Sequence, residues 1–296
     1  MNHRKSQFDS VRVGRNICTY LDLNNIPISL PSLSYEVLAM QIRDSISRVR
    51  YYEAVSNRSI DIRTTDPNDS LFDPIKAIIY YRNKNYDEAC WLAFLLAYTS
   101  ESYPSKWYFT RKLYAGLDNK LTWNYVNTNR NVIQKIAQSL EQANPKPKFG
   151  KHRPYASLKH MQITIGNYID LVDFHGGHRN LFKNNESHES LEDAFRKLYN
   201  ILSTGIYGFA RLSTFDFISI LYKSELADVK ADSCYIKGST GPKRGAKLLF
   251  GSNLTTNDLE QHSLELANYL GIGYQEMEDA LCNWQKSHGV YNQYRG

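Results

Sequence analysis

The sequence has few cysteines, and they stand far apart. Cys18, Cys90, Cys234 and Cys282 form neither a Cys-x-x-Cys pair nor a cluster, so no metal or iron–sulfur site is predicted and reduced, mostly buried thiols are expected. Long apolar runs are missing as well. The most apolar segment, residues 89–97, is far shorter than the roughly 20 residues that cross a bilayer, and no hydrophobic signal region follows the polar N-terminus. We therefore expect a cytoplasmic protein without a membrane partner.

The glycine-rich stretch 232–251 lacks the common nucleotide-binding patterns. Its spacing is neither that of a Walker loop, in which Lys-Ser/Thr follows the final glycine, nor Gly-x-Gly-x-x-Gly. ATP and NAD are therefore not predicted, and we expect no cofactor. Strand signals are weak, whereas apolar residues recur at helical spacing over most of the chain. The sequence predicts a mainly α fold without internal repeats.

Proline and glycine suggest one break in the helical pattern. The stretch 144–154 contains three prolines and a glycine among its cations and cannot continue a helix. Farther along, Asn257 and Glu260 are spaced as a capping box that would start a helix. The predicted order is an N-terminal arm over 1–33, a helical subdomain over 34–143, a basic linker over 144–154 and a second helical subdomain over 155–296.

The positive charge is unevenly distributed. The chain carries a net charge of +6, and the windows 102–117, 142–169 and 233–257 contain no Asp or Glu. The first window mixes its cations with aromatic residues, among them Trp107 and Tyr108. Cations interleaved with aromatics suit a polyanion that carries stackable bases, so nucleic acid is the predicted partner. The alternative is that the aromatics belong to the core and the cations to a solvated face.

The third window is interpreted as an anion-binding turn. Glycines there can adopt conformations closed to other residues and let a ligand approach, and a helix starting near Arg244 would direct its positive end at the same anion. An ordinary basic loop is the alternative. The residues predicted to contact phosphate are Lys237, Gly238, Gly241, Lys243, Arg244, Gly245 and Lys247.

Two further patterns have a functional and a simpler interpretation. His175-Gly-Gly-His178, with His188 nearby, lacks a carboxylate or cysteine at a recognised metal-ligand spacing, so a loop that contacts phosphate through Arg179 is favoured over a metal site. On the last helix, Glu278 and Lys286 lie on one face. A structural ion pair is the simpler account of these two residues.

Several of these residues together resemble a known family. The turn Gly238-Ser-Thr-Gly-Pro-Lys-Arg-Gly-Ala246 follows Phe215-Asp-Phe-Ile-Ser-Ile-Leu221 and precedes the helix Glu278-Asp-Ala-Leu-Cys-Asn-Trp-Gln-Lys286. This arrangement resembles the α-glutamyl/putrescinyl-thymine pyrophosphorylase-like proteins, most specifically over 205–286 and more loosely over 60–115. That family is similar to helix-hairpin-helix DNA glycosylases. It includes proteins of phage DNA hypermodification and antiviral glycosylases that excise glucosylated hydroxymethylcytosine.

The resemblance implies a helix-hairpin-helix glycosylase-like fold with two helical subdomains around a DNA-binding cleft. Its partner would be DNA with modified bases, and no obligate protein partner is implied. The segment Arg211–Phe217 lies where the glycine hairpin is expected but lacks the glycines, so the phosphate role would pass to Gly241–Gly245. The absence of a lysine at the hairpin position implies a monofunctional reaction. Trp107, Tyr108 and Tyr207 are the candidates for stacking on a flipped base.

Excision of a base requires a carboxylate near the sugar, where positive charge develops. By its placement after the second helix of the motif, Asp232 resembles the catalytic aspartate of such glycosylases. Asp228 is the second candidate, followed by Glu278 and Asp216, and a simple turn carboxylate is the structural alternative for Asp232. The resemblance thus implies a glycosylase that excises a modified pyrimidine from phage DNA in antiviral defence. An enzyme that installs a hypermodification, or a non-catalytic DNA-binding module, stays open.

Overall fold

The computed structural model describes residues 8–102, 105–151, 153, 156–183 and 189–293. Over these ranges the mainly α prediction is confirmed, and the β pairing consists of one isolated bridge between Ser102 and Lys106. None of the helices found there is long and apolar enough to cross a bilayer. The helices are α1 Ser10–Leu23, α2 Ser32–Ser56, α3 Pro74–Arg82, α4 Tyr86–Thr99, α5 Tyr108–Ala115, α6 Trp123–Thr128, α7 Val132–Gln142, α8 Met161–Phe174, α9 His178–Lys183, α10 Leu191–Gly205, α11 Arg211–Lys223, α12 Gly241–Phe250, α13 Thr256–Leu270 and α14 Tyr274–Trp284.

The chain forms two compact units whose bounds differ from the predicted subdomains. Unit 1 combines residues 1–51 with 231–294, and unit 2 contains residues 52–230. Unit 1 pairs the N-terminal fifty residues with the C-terminal helices, a pairing that tertiary packing sets and that the predicted subdomains do not contain. The predicted linker 144–154 lies inside unit 2 and has both flanks in the same unit.

Unit 1 contains a helix where the sequence interpretation placed an arm. The carboxylate of Asp9 caps α1 by accepting the backbone N–H of Arg12 at 3.0 Å. Ile17, Tyr20 and Leu21 are buried on one side of α1 in the core that also contains residues of α13. Their i, i+3, i+4 spacing is that of an amphipathic helix, so the pattern was present in the sequence but was obscured by polar neighbours.

The start of α13 also differs from the predicted one. The hydroxyl of Thr255 accepts the N–H of Asp258 at 3.2 Å, and the carboxylate of Asp258 accepts the N–H of Thr255 at 3.0 Å. The capping box is therefore Thr255 with Asp258, and the predicted pair of Asn257 with Glu260 is wrong. This shift matters because Glu260 has another role in unit 1, described below.

Unit 2 is organised around α4, which is buried along nearly its whole length. It spans Tyr86–Thr99 and contains the most apolar segment of the sequence, residues 89–97. The ring of Phe94 stacks on that of Tyr168 with 3.8 Å between centroids, and Phe217 meets Phe94 edge-on at 5.8 Å. Stacked and edge-on aromatic pairs add to the stability that burial provides. Many of the aromatics of unit 2 are thus core residues, as the alternative interpretation of the sequence allowed.

Candidate nucleic-acid interface

The cations of the third window lie at the start of α12 in unit 1. The segment turns at Gly238, whose φ of 76° is in the left-handed region, and α12 begins at Gly241. Its N-cap residue, Thr240, makes no side-chain cap hydrogen bond. Four cations in this segment form no ion pair with any residue in the described ranges, so their charge is available to an external anion. They are the exposed Lys237, Arg244 and Lys247 and the half-buried Lys243.

Two glycines of the predicted cradle have a packing role. A Cβ at Gly241 would lie 2.6 Å from the Sγ of Cys282, and a Cβ at Gly245 would lie 2.4 Å from the carbonyl oxygen of Leu281. Helix α12 therefore packs closely on α14, and the glycines permit that approach. Of the three glycines, Gly238 alone has the positive φ that the cradle interpretation required.

Asp232 lies at a bend in the loop before α12, next to residues whose backbone a buried network holds in place. The carboxylate of Glu260 on α13 accepts the N–H of Cys234 at 2.7 Å and that of Ile236 at 2.6 Å. Cys234 and Ile236 are fully buried, and one carboxylate oxygen of the half-buried Asp232 is buried too. Glu260 thus fixes the backbone that positions Asp232. This structural role was missed because the sequence favoured Glu260 as a capping residue.

The other acidic candidates have different surroundings. Asp228 in unit 2 is about half exposed and forms an ion pair with Lys183 at 2.6 Å. Asp216, also in unit 2, pairs with the buried guanidinium of Arg153 at 3.0 Å, which gives this carboxylate a structural role. Glu278 is buried within α14 of unit 1. Among the acidic candidates, Asp232 is partly buried and also lies directly before the cationic segment.

A helical hairpin lies just before the position assigned to it from the sequence. Residues 206–210 join α10 to α11, and Gly208 in this turn has a φ of 78°. The segment Arg211–Phe217, which the resemblance placed at the hairpin position without its glycines, is the first part of α11, and Thr214, Phe215 and Phe217 are buried there. Gly205 and Gly208 lie a few residues earlier, at the end of α10 and in the turn. The turn exposes Gly208, Ala210 and the ring of Tyr207, which is 48% exposed.

The remaining interface candidates lie in unit 2. The guanidinium of Arg179 is exposed and stands 4.6 Å from the centre of the Tyr86 ring. Trp107 and Tyr108 are half-buried at the start of α5. The ring of Tyr207 meets that of His160 edge-on at 5.3 Å. Of these aromatics, Tyr207 presents the largest accessible ring to a base.

The histidine pair of residues 175–178 belongs partly to the core. His178 is fully buried; its Nδ1 is 2.9 Å from Asp87 and its Nε2 is 2.9 Å from the hydroxyl of Tyr168. Burial lowers the pKa of His178, although Asp87 acts in the opposite direction, and the hydrogen bond from His178 lowers the pKa of Asp87. Among the described residues no group of three or more His, Cys, Asp or Glu side chains is placed to hold a metal ion. His188 lies outside the described residues.

An open polar cavity in unit 2 contains none of the predicted site residues. It has a volume of about 600 Å³ and is lined by residues between Leu117 and Lys135, including Tyr125, Asn127 and Arg130. Arg130 is paired with Asp170 and Asp173 of α8. Its charge is therefore already compensated, and the cavity is not counted with the nucleic-acid interface.

Comparison with known proteins identifies a family. The family model described as Alpha-glutamyl/putrescinyl thymine pyrophosphorylase clade 3 matches residues 34–296. Searches of curated proteins and of solved structures gave no match. The match covers nearly the whole chain and begins where the N-terminal segment, which contributed nothing to the resemblance, ends. The family resemblance drawn from the sequence is confirmed.

Proposed function

Because the chain belongs to the alpha-glutamyl/putrescinyl thymine pyrophosphorylase clade 3 family, we propose that it is an enzyme acting on a modified pyrimidine in DNA. The reaction we favour is hydrolysis of the N-glycosidic bond, as in a monofunctional glycosylase. The family description supports the modified pyrimidine. The observation that carries the DNA part of the proposal is the row of cations at the start of α12, which form no ion pair within the described ranges.

The cations fit the phosphate backbone better than a single small anion. Lys237 is exposed in the loop before α12, and Arg244 and Lys247 are exposed one turn apart on that helix, so several phosphates can be contacted at once. Such contacts position a protein on nucleic acid without selecting a sequence. In unit 2, Tyr207, Gly208 and Ala210 are exposed just before α11, which starts without a side-chain cap. Its first backbone N–H groups are a separate candidate for a phosphate contact.

Asp232 is the carboxylate we assign to the reaction. In hydrolysis the C1′–N bond breaks, the base leaves with the bonding electrons and takes up a proton, and water adds its oxygen to C1′. Positive charge develops on the sugar as the base departs, and a nearby carboxylate stabilises that charge and orients the water. The two hydrogen bonds to Glu260 hold the segment after Asp232 rigid, which favours a fixed carboxylate position.

The test is release of base from DNA that carries bulky modified pyrimidines, with free base and abasic sites measured together. Asp232→Asn should lower the rate by at least about a hundredfold, because a positioned acid or base contributes roughly 10²–10⁴-fold, while DNA binding persists. Asp228→Asn is the matched control and should stay within a fewfold of wild type. Full activity of Asp232→Asn would remove this residue from the role, and loss in Asp228→Asn alone would transfer the role to Asp228.

A second reaction is favoured by the word pyrophosphorylase in the family description. In this reaction an amine nitrogen attacks the methylene carbon of a pyrophosphorylated hydroxymethylpyrimidine, the carbon–oxygen bond breaks, pyrophosphate leaves and the amine loses a proton. The cations of α12 would then stabilise the leaving pyrophosphate. Mass spectrometry of nucleosides separates the two reactions, since transfer gives a nucleoside that carries the amine and excision removes one. DNA binding without any change to the nucleosides would indicate a non-catalytic module.

The contribution of α12 to DNA binding can be tested separately. Lys243→Gln with Arg244→Gln removes two cations and should lower the slope of log K against log salt concentration by about 2, since each phosphate contact contributes about 0.9. Arg12→Gln with Arg15→Gln removes the same charge from exposed positions of α1 in the same unit. The control pair should leave the slope nearly unchanged. Equal slopes for the two double variants would contradict the assignment.

A further inference from the structure

We infer that residues 144–151 and Arg153 form a rigid lysine strap on unit 2, which presents Lys146, Lys148 and Lys151 to the backbone of bound nucleic acid. The inference rests on the proposed function for the identity of the partner. It adds a second cationic surface, in a different unit from α12. The strap is the segment that the sequence predicted to be a linker.

Buried contacts hold the C-terminal part of the strap. The side chain of Arg153 is 4% exposed; its Nε donates to the carbonyl oxygen of Ala97 at 2.7 Å and a terminal nitrogen lies 3.0 Å from Asp216. The N–H of Gly150 donates to the carbonyl oxygen of Thr99 at 2.9 Å. A Cβ at Gly150 would lie 2.4 Å from the carbonyl oxygen of Glu101, so the backbone of the strap touches unit 2 directly.

Apolar contacts hold the middle of the strap. Pro147 is buried. The ring of Phe149 meets the rings of Tyr98 and Phe109 edge-on, with centroids 5.3 and 4.7 Å apart. Pro147 and Phe149 alternate with Lys146 and Lys148, and alternate residues of an extended segment point to opposite sides, so these two lysines face away from the unit. Lys151 lies in the turn that the N–H of Arg153 closes on the carbonyl oxygen of Gly150 at 2.8 Å, and it is exposed.

The three lysines are exposed and form no ion pair with the described residues. Residues 142–169 contain no Asp or Glu that could compensate them locally. A flexible solvated linker would carry the same lysines without a buried arginine, a glycine in close contact and an aromatic anchor. Cations fixed in a row suit a polyanion with regularly spaced charges, and in a protein of this family that polyanion is DNA.

The experiment measures binding of a short unmodified DNA duplex by fluorescence anisotropy between 50 and 200 mM salt. Replacing Lys146, Lys148 and Lys151 by Gln should lower the salt slope by about 2.7, at 0.9 for each contact. Over this range wild type should therefore lose roughly 40-fold more affinity than the triple variant. The control replaces Arg58, Lys84 and Lys135, exposed cations elsewhere in unit 2, by Gln and should leave the slope within one unit of wild type.

A second variant tests the rigidity of the strap without changing its charge. Gly150→Ala keeps all three lysines but pushes the strap away from Glu101, and it should weaken DNA binding severalfold while circular dichroism and the Tm of unit 2 show a folded protein. Equal slopes for the triple variant and its control would overturn the inference. It would also be overturned if the triple variant changed the salt slope for heparin or for acidic phospholipid vesicles but not for DNA.

The outcomes separate this inference from the proposed function. A slope that depends on the strap, without base release or transfer, would leave the inference standing and remove the enzymatic proposal. Base release with a salt slope that does not depend on the strap lysines would leave the enzymatic proposal standing and remove the inference on the strap.

Discussion

Replacing Gly245 by alanine tests whether the glycines of α12 serve helix packing. The new Cβ would lie 2.4 Å from the carbonyl oxygen of Leu281 and 2.9 Å from its carbonyl carbon. Both atoms belong to the backbone of α14, so no side-chain rotation can relieve the contact, and α12 and α14 must separate. We expect a cost of about 3 kcal/mol, at the upper end of the range for overpacking. Alanine's higher helix propensity returns about 1 kcal/mol, which leaves a net loss of about 2 kcal/mol.

Gly166 of α8 provides the matched control. It is also a helical glycine, but a Cβ there meets nothing within 4 Å. Gly166→Ala should therefore be neutral or should stabilise the protein by up to about 1 kcal/mol. If Gly245→Ala is no less stable than Gly166→Ala, the close approach of α12 to α14 is not the reason for the glycine.

Gly241 allows a double-mutant cycle. Its Cβ would clash at 2.6 Å with the Sγ of Cys282, whereas the Cα and Cβ of Cys282 are at 3.6 Å. Gly241→Ala should destabilise unit 1, and adding Cys282→Ala removes the clashing sulfur and should recover about 1 kcal/mol or more, within the range of couplings between contacting residues. Strict additivity of the two substitutions would contradict this packing.

The assay should report on unit 1 alone. Trp284 is the one tryptophan that falls in unit 1, and it is fully buried in the same core as α12. Fluorine NMR of protein labelled with fluorotryptophan therefore follows the urea unfolding of this unit through one resonance. A loss of about 2 kcal/mol corresponds to a Tm decrease of roughly 8 °C for a unit of this size.

Three further predictions concern other parts of the chain. Glu260→Gln weakens the hydrogen bonds to the N–H groups of Cys234 and Ile236, so the free energy of unfolding of unit 1 should fall by about 1.5–3 kcal/mol. The rate of any base release should fall at least tenfold, and an unchanged rate would exclude a positioning role for Glu260. Arg153→Met leaves Asp216 and the carbonyl of Ala97 without this partner. The stability of unit 2, measured by urea unfolding, should therefore fall by about 3 kcal/mol. An unaffected urea midpoint would mean that this side chain does not anchor the strap. The pKa of His178 lies below its ordinary value of 6.5 because of burial. On acidification the unfolded chain therefore takes up the proton first, and the stability of unit 2 should fall as the pH drops below 6.5. His178→Gln should flatten this pH dependence and His160→Gln should not, so equal pH profiles for the two variants would refute the assignment.

The groups that face His178 determine what its protonation does. Asp87 of α4 accepts from Nδ1, and Tyr168 of α8 is at hydrogen-bond distance from Nε2. Asp173 and the Asp87 carboxylate raise the pKa of the ring, but less than burial lowers it. A proton on Nε2 would turn the ring into a donor toward the Tyr168 hydroxyl, which then must donate elsewhere, and the carbonyl oxygen of Cys90 is 3.4 Å away. The acid sensitivity of unit 2 therefore starts at this network.

Local sequence patterns predicted most of the helices, and they failed where tertiary packing decides. The apolar run that forms α4 is unambiguous because it is too short for a membrane and too long for a turn. By contrast, nothing local in residues 144–154 distinguishes a linker from a strap. That distinction depends on Arg153 reaching Ala97 and Asp216, which are distant in sequence. Helix α1 was predicted as an arm for a different reason, because its i, i+3, i+4 apolar pattern is present in the sequence but is obscured by polar neighbours.

The candidate site shows the same division between local and long-range information. The cations of α12 could be found from composition, since residues 233–257 contain no acidic residue. The role of Glu260 could not, because a carboxylate that accepts two backbone N–H groups across more than twenty residues leaves no spacing signal. The hairpin position was taken to be Arg211–Phe217, where the glycines are absent, although Gly205 and Gly208 lie only a few residues earlier. The turn between α10 and α11 falls at these earlier residues.

The glycines and cations of α12 are connected by the helix geometry. Gly241, Gly245 and Leu249 recur every four residues on the side that packs within unit 1, so Arg244 and Lys247 are left on the exposed side. Packing against α14 therefore fixes the direction in which the cations point. It follows that Gly245→Ala, which removes no charge, should lower both DNA affinity and the stability of unit 1. By contrast, Lys243→Gln with Arg244→Gln should lower DNA affinity but change the free energy of unfolding, followed through Trp284, by no more than about 0.5 kcal/mol, the usual range for surface substitutions. If Gly245→Ala lost stability but kept wild-type affinity and salt slope, the cations of α12 would not depend on that packing for their contact with DNA.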